Sequence, residues 1–151
     1  MKLKVILVCI ISLLGLNLSA AAESWQGWRG SSGWGMDSDY QKKYDPKKVV
    51  MICGTVVGIK KIVPIKGMSP GIALKIKAEK EMFSVHLGPA WYIEKLDYKI
   101  SAGDKLEVKG GYAFFSDGPS VVAAEIKNGK RFLVLRDNMG TPIWSGWGWK
   151  R

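Results

Sequence analysis

Histidine occurs once, at His86, and cysteine twice, at Cys9 and Cys53. The chain has no Cys-x-x-Cys or His-x-x-x-His spacing, no phosphate-cradling glycine loop, no nucleophile elbow and no paired-carboxylate motif. The usual sequence signatures of zinc sites, nucleotide sites and hydrolases are therefore missing, and the expectation is a protein without catalysis. Acid is also short: 13 Asp and Glu stand against 23 Lys and Arg, a formal charge of +10. A positive balance alone licenses only non-specific attraction to anions. The longest apolar run, Val5 to Leu18, is shorter than the roughly 20 residues that a spanning helix needs.

That run follows Met1-Lys2-Leu3-Lys4 and ends at Ser19-Ala20-Ala21-Ala22, the layout of a secretory signal peptide cleaved after Ala22. An uncleaved anchor is the alternative. Cys9 is no lipidation site, because Val8 before it is not small. Cleavage removes two lysines and no acid, taking the charge from +10 to +8, and leaves Cys53 as a lone thiol. Its apolar strand context predicts a buried, inert side chain.

Residues 23–45 are rich in Gly, Ser, Trp and charge and show no helix or strand period. They read as a flexible arm, anchored if at all by tryptophans. Residues 144–151 form a matching Trp-rich basic tail. The two ends are expected to serve as contacts or to fold back over edge strands.

Between them, residues 46–143 read as one β domain. Strands are expected at 48–62, 71–78, 82–87, 105–115 with a bend at Gly110-Gly111, 121–126 and 131–135. Asp117-Gly118 and Asn128-Gly129 are hairpin turn signals. Interior Gly54 and Gly58 suit a strongly bent barrel strand. Gly88-Pro89 breaks the third strand, and Pro89 suits the start of a short helix through Trp91. A mainly β fold with one short helix between strands three and four predicts a small five- to six-stranded barrel of the oligonucleotide/oligosaccharide-binding (OB) kind. A sandwich is the runner-up.

Four stretches carry a resemblance: Tyr44–Val49, Val85–Tyr92, Gly103–Gly110 and Leu135–Trp144. Together they resemble small secreted bacterial OB-like proteins related to the domain shared by the magnetosome-associated proteins MamS and MamX. The resemblance spans about residues 40–147. It implies a periplasmic, non-enzymatic β-barrel module. Fuller magnetosome proteins of this kind carry Cys-x-x-Cys-His haem motifs. None occurs here, so haem chemistry is not implied.

The candidate site residues follow from chemistry. Lys60, Lys61 and Lys66 flank the loop between strands one and two, which borders the ligand face of OB barrels. Tyr112 and Phe114, with Phe115, add aromatic groups nearby. Basic and aromatic groups together suit an anionic ligand, although a secreted address makes specific nucleic-acid binding a poor expectation. Trp91 is expected to plug the barrel mouth or serve as a stacking platform. His86 is expected to be a strand-end histidine hydrogen-bonded to a loop carbonyl. As a ligand for a transition metal it would need Cys53, Met68 or Met82 as companions. Arg136 and Asp137 are expected to pair and lock a turn.

The leading expectation is a periplasmic binding or scaffold module, with no cofactor, that holds an envelope protein or an anionic ligand. The alternative is a metal- or redox-associated accessory protein that uses His86.

Overall fold

The computed structural model describes residues 33–146. The expected signal peptide, most of the front arm and the end of the tail lie outside them. Six strands run in chain order: β1 Val49–Ile62, β2 Gly71–Ala78, β3 Glu81–Pro89, β4 Lys105–Phe115, β5 Gly118–Asn128 and β6 Arg131–Val134. Two single-turn helices, α1 Asp39–Lys42 and α2 Ala90–Ile93, and a 3-10 turn at Ile143–Gly146 complete the elements.

The sheet order is β3-β2-β1-β4-β5-β6, with antiparallel neighbours throughout. One further pairing closes it. β3 and β5 run parallel through Val85 with Val121 and His86 with Val122. Strands β1 to β5 thus form a closed ring, with β6 continuing from β5 as an edge strand. α2 follows β3 directly, as expected. Ser38 caps α1 by accepting from the Gln41 N–H.

Period-two alternation fills the ring. Ile52 and Val56, Leu74 and Ile76, Val85 and Leu87, Leu106 and Val108, and Val121 with Ile126 are all buried. Gly54 lets β1 run close against the end of β2, because a Cβ there would lie 2.5 Å from the Lys77 carbonyl oxygen. A bulge between Val56 and Gly58 bends the strand.

Cys53 departs from expectation: it is exposed. β1 is apolar on both faces, so its own pattern does not say which face turns inward. Its partner decides. Cys53 pairs with Glu107, and Met51 with Lys109, on the charged side of β4. A one-residue register shift would bury that whole set.

A second apolar layer lies on the outside of the ring. On β2 and β3 the outward positions Gly71, Ala73, His86 and Gly88 are small or flat, and all are buried. Trp34 packs where a Gly71 side chain would stand, and Trp144 packs over Gly88. Both indoles are fully buried. The Trp144 Nε1–H donates to the Trp34 carbonyl at 2.8 Å, and the Trp34 Nε1–H to the Ser69 carbonyl at 2.9 Å. Tyr40 and Tyr44 are buried beside them. Residues 34–44 and Trp144, read from sequence as arm and tail, are two straps tied to each other across the wall.

Candidate functional site

The straps decide which part of the wall is open. His86 sits at the covered end of β3, in register with Ala73 of β2 and Val122 of β5. Its Nδ1 lies 3.1 Å from the Tyr40 hydroxyl, and its ring packs against Phe115 at 4.9 Å between centroids. Burial pushes its pKa down to about 4 against a weaker upward pull from Asp117, and the cations Arg136 and Lys60 push the same way as burial. Burial likewise holds the Tyr40 hydroxyl far above its ordinary value, against an opposing pull from Arg136. The pair is neutral at neutral pH, and the partner of His86 is a helix tyrosine hydroxyl in place of the expected loop carbonyl.

The proposed companions of His86 are spread out. Met82 lies four residues away on β3, about 13 Å along the strand. Lys60 shares the His86 row through Ala73, and Cys53 lies seven residues from Lys60 on β1, about 20 Å away. Met68 lines a cleft with Gly33 and Tyr40. Among the described residues, no group of three or more His, Cys, Asp or Glu side chains stands together as a metal site would need.

Arg136 does not pair with Asp137. The Asp137 carboxylate accepts the Met139 and Thr141 N–H groups at 2.9 Å each and, with backbone bonds between Asp137 and both Thr141 and Gly140, holds the turn without Arg136. The Arg136 side chain turns inward and is buried. It donates to the Ala123 carbonyl at 2.8 Å and lies 5.3 Å from the Tyr44 ring and 5.2 Å from the Trp144 ring. Ring faces stand where a carboxylate usually would. Burial lowers its pKa, while Tyr40 and Tyr44 raise it.

The three expected lysines diverge. Lys61 pairs with Glu94 at 3.3 Å. Lys66 lines a cleft of about 340 Å³ together with Asp37 and Asp39. Lys60 stands at the edge of the strapped row. Trp91 is half-buried on α2 and makes an edge contact with Tyr92. Trp91 packs against the edge of the core, while the fully buried indoles Trp34 and Trp144 belong to the straps on the outer wall.

Tyr112 and Phe114 do come together with other groups. They point to solvent at 44% and 71% exposure, on the arm of β4 beyond Gly110. Tyr112 meets Phe83 at 6.4 Å, and a hollow of about 220 Å³ is lined by Met82, Phe83, Ser84, Tyr112 and Pro119 among others. Met82 is 51% exposed. Beside this hollow, Lys75 pairs with Ser84 and Lys77 with Met82 on the open half of the β2–β3 wall. Sequence reasoning passed over Lys75, Lys77 and Phe83. Alternation already put both lysines outward, and the Lys77–Met82 pairing across the β2–β3 hairpin was the missing link.

A ring of five strands, closed by parallel β3 and β5 and with its helix after β3, is an OB-type arrangement. The chain belongs to the MamS/MamX magnetosome protein family, whose model matches residues 48–133, more than half of its length. A comparison with curated proteins finds no match. Trp34, Tyr40, Tyr44, Arg136 and Trp144, which build the strap layer, lie outside the matched residues.

Proposed function

We propose that this protein is an exported, non-catalytic binding or scaffold module that holds a partner protein or an anionic ligand on the open half of its β2–β3 wall and the β4–β5 hairpin. One observation carries the reading. Tyr112 and Met82 stand partly in water on regular strands around a shared hollow, and Phe114, two residues along β4, is the more exposed ring beside it. Rigid strands that present aromatic groups to solvent have the character of a docking surface. Lys75 and Lys77 next to them, and Lys43 with its Nζ on the Phe114 carbonyl, favour a partner of negative potential. The magnetosome family supplies the setting in which such a partner is sought. Export rests on the signal-like residues 1–22. No helix among the described residues is long and apolar enough to cross a membrane.

The test is a quantitative pull-down from the envelope fraction of the source cells. It compares the wild type, Tyr112→Ser with Phe114→Ser, and Lys75→Glu with Lys77→Glu. The expected result is a partner that both double variants lose. A partner retained by both places the binding surface elsewhere. N-terminal sequencing of the cell-purified protein should begin at Glu23.

A further inference from the structure

The outer face of β1-β4-β5-β6, on a side of the ring away from the aromatic hollow, carries two rows of directly paired residues. One row reads Met51, Lys109, Glu125, Val134, and the next reads Cys53, Glu107, Lys127, Phe132. Each row has apolar ends and a charged centre, and the sign of the centre reverses from one row to the next. The apolar ends are in water: Met51 is 61% exposed, Phe132 55%, and Cys53 is exposed. The charges are uncommitted. Lys109 faces Glu125 and Glu107 faces Lys127 across the strands, yet neither couple closes to an ion pair. A hollow of about 410 Å³ lined by Cys53, Lys105, Glu107 and Lys127 keeps the face from being a smooth convex wall.

This pattern complements itself. A two-fold axis lying in the face and parallel to its strands sets β4 of one copy over β5 of the other, and β1 over β6. Lys109 then meets Glu125 of the second copy, Glu107 meets Lys127, Met51 meets Val134 and Cys53 meets Phe132. Within the two rows every charge meets its opposite and every apolar end meets an apolar end. We infer that this face is the contact of a symmetric homodimer, with a second copy of this chain as its occupant. The face spans four strands, about 19 Å. The two rows lie ~7 Å apart along the strands, so with its margins the patch covers on the order of a few hundred Å², less than the roughly 800 Å² per partner of a stable complex, and the dimer is weak. At about 0.15 M salt the net positive charge of each copy is screened beyond ~8 Å, while charges in contact across the face still act.

The test is sedimentation at about 100 µM protein and about 0.15 M salt. The wild type is compared with an all-basic face (Glu107→Lys with Glu125→Lys) and an all-acidic face (Lys109→Glu with Lys127→Glu). All four positions lie on the wetted side of their strands, and matching far-ultraviolet spectra confirm that each variant is folded. The expected result is a wild-type monomer–dimer equilibrium, two monomeric variants, and recovery of the dimer when the two variants are mixed in equal amounts. A monomeric wild type overturns the proposal. So does a dimer indifferent to the swaps, which is the behaviour of edge-to-edge pairing through β6. A second arm fixes the axis. In a Cys9→Ser background, Phe132→Cys under mild oxidation should give a reducible dimer that Cys53→Ser abolishes. Positions 53 and 132 lie three strands apart in one copy, about 14 Å, too far for a disulfide within the chain. A dimer that survives Cys53→Ser contradicts the strand-parallel axis and the proposal with it.

Discussion

Acid should weaken this protein through one side chain, His86. The unfolded chain binds a proton at His86 with a pKa near the ordinary 6.5, whereas in the fold burial holds it near 4. Above pH 6.5 neither state is protonated there, and the histidine adds no pH dependence. As the pH falls from 6.5 to 4, the unfolded state takes up a proton that the folded state refuses. Each pH unit in that window therefore removes about 1.4 kcal/mol of stability. By pH 4.5 the loss is about 2 to 3 kcal/mol, a large part of a small domain's total. His86→Gln keeps a polar group opposite the Tyr40 hydroxyl and does not titrate. It should cost about 1 kcal/mol at pH 7. Urea unfolding of both proteins at pH 7 and pH 4.5 provides the measurement. Carboxylates titrate in both proteins and cancel in the difference, which isolates His86. The expected result is a wild type that loses about 2 to 3 kcal/mol more than the variant over this range. Equal losses would refute the buried, neutral histidine.

Other perturbations test the remaining parts. Trp144→Ala empties the site over Gly88 and leaves the Trp34 carbonyl without its donor, and it should cost about 3 to 5 kcal/mol in urea unfolding. Gly71→Val places a side chain where the Trp34 ring lies, and should shift tryptophan emission to the red as that indole meets water. Tyr112→Ser and Phe114→Ser are expected to change stability by no more than about 0.5 kcal/mol each, because both rings are already in water. Cys53 should react with a maleimide in the native fold as fast as in urea, within a fewfold, since it is exposed on β1.

Much of the ring could be read from the residues. Clean alternation marked β2 and β4, Asp117-Gly118 and Asn128-Gly129 marked two hairpins, and Gly88-Pro89 marked the end of β3 and the start of α2. β1 resisted reading because both its faces are apolar. Only its pairing with Glu107 and Lys109 shows that Cys53 faces out. The straps resisted for a different reason. Trp34, Tyr44 and Trp144 lie outside regular strands and Tyr40 on a single-turn helix, where no period links them, and the glycines under the three first named, Gly71, Gly111 and Gly88, are distant in the chain and read as strand breakers. Arg136 looked like half of an ion pair because Asp137 follows it, yet neighbours on a bent segment point apart. The binding lysines were sought at the loop that OB barrels use; in this chain Lys61 pairs with Glu94, and Lys66 lines a cleft that Asp37 and Asp39 also line. The open ground is the outward row at Lys75 and Lys77.

The binding surface is tested most directly by a photo-crosslinking amino acid at position 114 in living source cells. The expected result is one discrete adduct that Tyr112→Ser removes and that the same probe at Lys99, on the loop before β4, does not form. No adduct at 114, or the same adducts from both positions, would contradict a docking surface on the β4–β5 hairpin.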